Sequence, residues 1–211
     1  MSLKEDIFAA VVAGDAPAAD RLVAEALAAG VPPEELLRES LIAAMTEVGV
    51  RFECGDYFVA EMLVSALAMQ AGLKHLRPRL AASAVKPIGV AVVGTVKGDL
   101  HDIGKNLVGM MLEGAGFQVV DAGVDVAPAR FVEAARESGA DLIALSALLT
   151  TTMPHMQSVV QALAASDLRG RVKTLVGGAP LTQEYADRIG ADGFAPDAAA
   201  AVTVARRLIG R

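Results

Sequence analysis

The chain is expected to build two kinds of structure in series: an all-helical N-terminal part, then an α/β part whose five-stranded parallel sheet carries helices on both faces. Three observations lead there. From Lys4 to about Ala84 apolar residues recur at helical spacing. Past Pro87 they gather instead into short runs bounded by glycine and polar residues. Those runs alternate with helical patterns, and parallel strands need crossovers of that length.

In the N-terminal part, Asp15 can cap a helix with Pro17 in its first turn, and Pro32-Pro33-Glu34-Glu35 opens another with proline early and acids near the start. Gly14, Gly30 and Gly55 punctuate these segments. Val59, Met62, Leu63, Ala66 and Leu67 recur as one face of a helix running toward His75. The sum is a bundle of four or five helices over residues 1–84. A boundary near Ala81 to Lys86 precedes a second domain over residues 87–211. There the strands are expected at Ile88 to Val93, Gln118 to Asp121, Leu142 to Ser146, Thr174 to Val176 and Gly193 to Ala195. Helices are expected near 102–115, 128–138, 152–166, 182–189 and 197–209.

Composition narrows the function. With 54% hydrophobic and 21% charged residues in 211, the chain has ample material for packed cores. A net charge of −6 and a pI near 5.1 would repel phosphates, and no basic stripe offsets that, so nucleic acid is a poor partner. No apolar stretch approaches the roughly 20 residues of a membrane helix. The N-terminus lacks the basic-then-apolar order of a signal peptide, and the cytoplasm is the expected location. Cys54 is the single cysteine, which excludes an intrachain disulfide and a cysteine-based zinc site.

The chemistry concentrates in one loop. The run Ile88 to Val93 ends at Gly94, and Gly98-Asp99-Leu100-His101-Asp102-Ile103-Gly104-Lys105-Asn106 follows before the helical pattern Leu107, Met110, Met111, Leu112. An open α/β sheet places its ligand chemistry at such a strand-to-helix loop. His101 is the best candidate for a metal ligand. Asp99, two residues earlier, can accept from one ring nitrogen, which fixes the tautomer and leaves the other nitrogen for a metal or a proton. A solvated loop histidine is the alternative reading of that residue alone. His75 and His155 lack such a neighbourhood. Lys97 and Lys105 flank the motif, either as exposed lysines or as contacts for an anionic group. G-x-G-x-x-G is absent and no P-loop lysine pattern follows the strand, which disfavours NAD and ATP.

The spacing D-x-H-x-x-G, here Asp99, His101 and Gly104, does not stand alone. It is joined by Ser146-Ala147-Leu148-Leu149-Thr150 and Gly177-Gly178-Ala179 at the ends of two later strands. Near the N-terminus stand Met45 to Phe52 and Gly55 to Met62. Together these resemble the corrinoid methyl-carrier proteins of methanol, methylamine and O-demethylase methyltransferase systems, and the cobalamin-binding module of methionine synthase. The resemblance covers nearly the whole chain. It implies a helical cap and a flavodoxin-like (Rossmann-type) domain that binds cobalamin or a related corrinoid. In that comparison His101 is the lower cobalt ligand, Asp99 tunes it, and Thr152 corresponds to a hydroxyl that completes a proton relay. Gly98, Leu100, Asp102 and Gly104 complete the ligand loop. Ser146, Leu148, Thr150, Gly177 and Gly178 would line the slot for the nucleotide tail, closed by the last helix at Ala198, while Phe52, Val59 and Met62 would cover the methyl group. Taken singly, these residues also read as turn glycines, strand-end hydroxyls, bundle core and, for Thr151 and Thr152, helix N-terminal hydroxyls. The chain departs from the pattern at Ala60, where family members often carry proline.

By the same resemblance, the protein would carry a methyl group on cobalt between a substrate-specific methyltransferase and an acceptor methyltransferase serving tetrahydrofolate or a thiol. A reductive activase would restore cobalt(I). The donor stays open among methanol, methylamines and aryl methyl ethers. A cobalamin-dependent regulatory or sensor protein is the alternative; an isomerase subunit and a cofactor-free flavodoxin-like domain come after it.

Overall fold

The computed structural model describes residues 2–81 and 86–210. They divide into two compact units, Met1–Lys86 with Gly114–Gly116, and Pro87–Glu113 with Phe117–Arg211. The linker expected near 81–86 falls mostly outside the described residues.

The first unit is helical: α1 (Leu3–Val12), α2 (Ala16–Ala28), α3 (Pro33–Glu35), a π-helical stretch (Leu36–Ile42), α4 (Ala43–Glu53) and α5 (Val59–Ala81). Local chemistry sets the starts. Ser2 and Glu5 form a reciprocal capping box on α1, and the Asp15 carboxylate accepts from Ala18 N–H with Pro17 in the first turn of α2. Between these helices Gly14 sits at φ 72°, and a Cβ there would lie 2.5 Å from Val64 Cγ2, so both the turn and the close packing call for glycine. The Val12 carbonyl, left unpaired by the end of α1, accepts from Tyr57 Oη at 3.0 Å and Ser65 Oγ at 3.1 Å. The expected single apolar face of α5 separates into two. Met62, Ala66, Met69, Leu73 and Leu76 recur every three or four residues and are buried, whereas Val59, Leu63 and Leu67 are exposed.

The second unit is a parallel sheet in the order β2-β1-β3-β4-β5, made by β1 (Val90–Val96), β2 (Gln118–Val126), β3 (Leu142–Ser146), β4 (Lys173–Gly177) and β5 (Gly193–Ala195). The crossovers are α6 (Ile103–Gly114), α7 (Pro128–Ser138), α8 (Pro154–Ala164) and α9 (Gln183–Ile189), and α10 (Ala198–Leu208) ends the series. The chain leaves β1 toward β2 on one side and resumes at β3 on the other. The C-terminal ends of β1 and β3 therefore frame the crevice where open α/β sheets bind ligands. One core cluster joins Val92, Ile143, Leu145 and Val176 of the sheet to Phe131 and Met156 of the helices. Phe131 is fully buried, which stabilises the fold by about 2–3 kcal/mol. It packs where a Cβ on Gly94 would stand, 2.6 Å from Phe131 Cε1.

Several boundaries differ from the sequence expectation, and β2 runs to Val126 rather than ending at Asp121. β1 does not stop at Gly94 but continues to Val96, because Thr95 still pairs with Ser146 and Val96 with Val126. α8 starts at Pro154 rather than 152, which leaves Thr152 in a turn. β2 also carries two irregularities: Val93 pairs with Asp121, Gly94 with Gly123 and Val96 with Val126, so each step inserts an extra residue in β2.

Candidate functional site

The loop between β1 and α6 is organised around a carboxylate with no exposed surface. Asp99 is fully buried. Its Oδ1 accepts from the His101 backbone N–H at 3.1 Å and from His101 Nδ1 at 2.7 Å. Its Oδ2 accepts from Leu148 N–H at 2.8 Å, Leu149 N–H at 3.3 Å and Thr152 Oγ1 at 2.7 Å. Burial pushes the Asp99 carboxyl upward in pKa, but the hydrogen bonds from Thr152, Leu148 N–H and His101 outweigh it and hold the group well below the usual carboxylate range. An ionised carboxylate can only accept, so His101 Nδ1 carries a proton, and in the neutral imidazole Nε2 then keeps its lone pair. The imidazole is 51% exposed. The site therefore presents one oriented nitrogen donor to the outside.

The sequence reading missed two further residues that hold this loop. Buried Thr95 donates its hydroxyl to the His101 carbonyl at 2.8 Å. On the other side of the loop, Asp125 at the end of β2 accepts from Gly98 N–H at 2.6 Å, and its own N–H donates to the Asp99 carbonyl at 2.9 Å. Thr95 lies one residue past the expected strand end at Gly94, and a lone threonine there gives no sign of this. Asp125 also lies four residues beyond the point where β2 was expected to end.

Each residue singled out from the sequence has a definite place. Thr152 is buried and bonded to Asp99, so His101, Asp99 and Thr152 form one connected line. Gly98 takes φ 80° at the loop's turn. Leu100, Asp102 and Gly104 are exposed around His101, and a Cβ on Gly104 would meet nothing within 4 Å. Leu100 and Ile103 are 71% and 79% exposed, an apolar rim beside the imidazole that Leu148 extends. Across the sheet, Thr95, Ser146, Gly177 and Ala195 pair in register and form one row of small residues. Thr150 is exposed, and Ala198 is buried as the first residue of α10, capped by Asp197. In the helical unit Phe52 is half-buried and Val59 exposed.

Three expectations change in detail. Met62 is enclosed in the bundle and does not point with Val59. Lys105 is only 4% exposed, and its ammonium meets both oxygens of Asp121 at 2.7 Å, so it is not a free anion contact. Gly178 has φ 141°, and a Cβ there would stand 2.0 Å from the Ala147 carbonyl oxygen. The strand-end backbones themselves require that glycine, whatever a ligand also requires.

Among the described residues no group of three or more His, Cys, Asp or Glu side chains lies together as a metal site. The outward nitrogen of His101 could serve as one protein donor to a metal carried by a bound cofactor. The small-residue row and the open space at Gly104 suit the approach of a large planar ligand and its side arm.

A model described as a B12 binding domain matches residues 89–203, and a second B12 binding domain model matches residues 3–77. The chain is 49% identical over 181 residues to dimethylamine corrinoid protein 3 of Methanosarcina acetivorans, covering 86% of this chain and 85% of that protein. It is 46% identical over 198 residues to trimethylamine corrinoid protein 1 of Methanosarcina mazei, covering 91% and 92%. Among solved structures it resembles the methanol:cobalamin methyltransferase complex of Methanosarcina barkeri with a TM-score of 0.87 at 28% identity, over 99% of this chain and 80% of that one.

Proposed function

From the premise that this chain belongs to the B12-binding corrinoid protein family, we propose that it is the methyl carrier of a methylamine-type methyltransferase system. It receives a methyl group from a substrate-specific methyltransferase and yields it to an acceptor methyltransferase that serves tetrahydrofolate or a thiol. A reductive activase completes the system. When bound, the corrinoid supplies a cobalt centre that can take up a methyl group and release it again. The names of the dimethylamine and trimethylamine corrinoid relatives support the methylamine class.

The observation that carries this reading is the Asp99–His101 pair, with Nδ1 committed and Nε2 free. His101 would hold the cobalt through Nε2. Asp99, kept ionised by its buried donors, fixes the tautomer that leaves the lone pair outward. The Thr152 hydroxyl donates to the Asp99 carboxylate and so holds the acceptor that orients the imidazole. Leu100, Leu148 and Ile103 are exposed apolar side chains on the segments that carry or hold this pair, and Ser146 and Gly177 would leave room for the side arm.

Reconstitution of the full chain with hydroxocobalamin, followed by reduction to cobalt(II), tests the ligand. Paramagnetic resonance is expected to resolve coupling to one axial nitrogen in the wild type and none in His101→Ala, with the same circular dichroism. Undiminished nitrogen coupling in the variant would remove His101 from the cobalt.

A further inference from the structure

We propose that Asp125 is a positioning residue for the histidine ligand, holding the Gly98–Asp99 stretch from the β2 side and so setting how firmly His101 is presented. This inference rests on the reading of His101 as the cobalt ligand. Asp125 is the one non-glycine residue with positive φ among the described residues, at 54°. Left-handed backbone at a residue with a Cβ costs free energy and persists where surrounding contacts demand it. Here the demand is visible. The first insertion in β2 lies between Asp121 and Gly123, the second falls between Gly123 and Val126 and so takes in Asp125 itself, and Gly123 sits at φ 90° between them. The result is a two-sided clamp: the Asp125 carboxylate accepts from Gly98 N–H at 2.6 Å, while Asp125 N–H donates to the Asp99 carbonyl at 2.9 Å.

Asp125 does not touch the imidazole. It fixes the backbone of Asp99, whose Oδ1 orients His101 and whose Oδ2 is tied to the start of the loop after β3. The β2 end therefore supports one side of the ligand loop, Thr95 the other, and the carboxylate bridges the two sheet halves at the switch between β1 and β3. A strand end bent by bulges to aim one side chain at a ligand loop is a recurrent arrangement next to functional sites.

The test uses the full chain as wild type, Asp125→Gly and Asp125→Asn. Glycine removes the carboxylate while relieving the positive φ, so lost acceptance is not confused with strain; asparagine keeps a side-chain acceptor and tolerates that φ. Two readouts report on His101. In the cofactor-free protein, nitrogen-15 chemical shifts report the share of the Nδ1–H tautomer. In the cobalamin-loaded cobalt(II) protein, the ratio of nitrogen-coupled to uncoupled signal reports ligation. Asp125→Gly is expected to lower that ratio by about fivefold, as for loss of one hydrogen bond, and to mix the tautomers. Asp125→Asn should recover most of both, with thermal midpoints close together in all three proteins. Wild-type ratio and tautomer in Asp125→Gly overturn the proposal, as does equal loss in Asp125→Asn. If the wild type itself has no coupled nitrogen, the assignment of His101 falls and this inference with it. If it does and Asp125→Gly matches it, the inference alone falls.

Discussion

Replacing one oxygen of Asp99 by an amide sets donor against donor. Asp99→Asn keeps the shape but leaves one oxygen for two sets of donors, His101 on one side and Leu148, Leu149 and Thr152 on the other. If the amide NH2 faces His101, Nδ1 must accept, the proton moves to Nε2, and the outward lone pair is gone. If it faces Leu148, a buried N–H loses its partner at a cost of about 1–3 kcal/mol. Asp99→Asn is therefore expected to lose most of the axial nitrogen coupling in paramagnetic resonance and to lower the urea midpoint at pH 7. The pH dependence follows from the depressed Asp99 carboxyl. Its stabilising contribution is complete above the unfolded carboxyl value of about 3.9 and is lost as pH falls through the lower folded value. The gap in urea midpoint between wild type and Asp99→Asn should thus stay constant from about pH 5 to 7 and narrow below about pH 4. A gap that widens on acidification would contradict an ionised Asp99.

Among the elements, the strand ends carry the decisive differences. The small-residue row runs through Ser146 and Gly177, whose backbones pair directly. Ser146→Leu adds bulk at a half-buried strand-end position, so it is expected to weaken cobalamin binding at least about tenfold, the effect of roughly 1.4 kcal/mol. The urea midpoint should change little. Unchanged affinity in a titration followed by visible absorbance would take Ser146 out of the ligand slot. Gly178 is a different case, because its substitution strains the fold itself. Gly178→Ala is expected to cost about 2 kcal/mol or more in chemical denaturation, through the forced φ and the contact with the Ala147 carbonyl. A variant as stable as wild type would mean that this crossing relaxes at no cost. At this scale the run of short apolar segments and the helical periods between them were legible, since they reflect local burial. The two insertions in β2 were not, because a bulge is fixed by pairing with β1 and leaves no mark in hydrophobic alternation.

For the molecule as a whole, the carrier reading makes a demand on kinetics. The cobalt(I) protein alone is expected to accept a methyl group from a strong chemical alkylator yet give no turnover with a methylamine, and to turn over once the matching methyltransferase is added. Repeated turnover by this chain alone, from a natural donor to a natural acceptor, would exclude the carrier role. A change of oligomeric state on illumination or on binding adenosylcobalamin, with no methyl transfer beside any partner, would favour the sensor. Among the described residues no helix is long and apolar enough to cross a membrane.

Taken by itself, the sequence determined the order of elements, the parallel sheet, and the pairing of a carboxylate with a histidine two residues away. Each of these depends on contacts close along the chain: helical and strand periods, caps such as Asp15, and the reach of Asp99 to its own loop. Tertiary structure alone decided the partners of Asp99 about fifty residues away at Leu148 and Thr152, the capture of Lys105 by Asp121, the enclosure of Met62, and the placing of Thr95 and Asp125 around the loop. The physical reason is common to all of them. A hydrogen bond or a packed face between distant segments depends on which strands lie side by side and in what register, and the local pattern of either segment records neither.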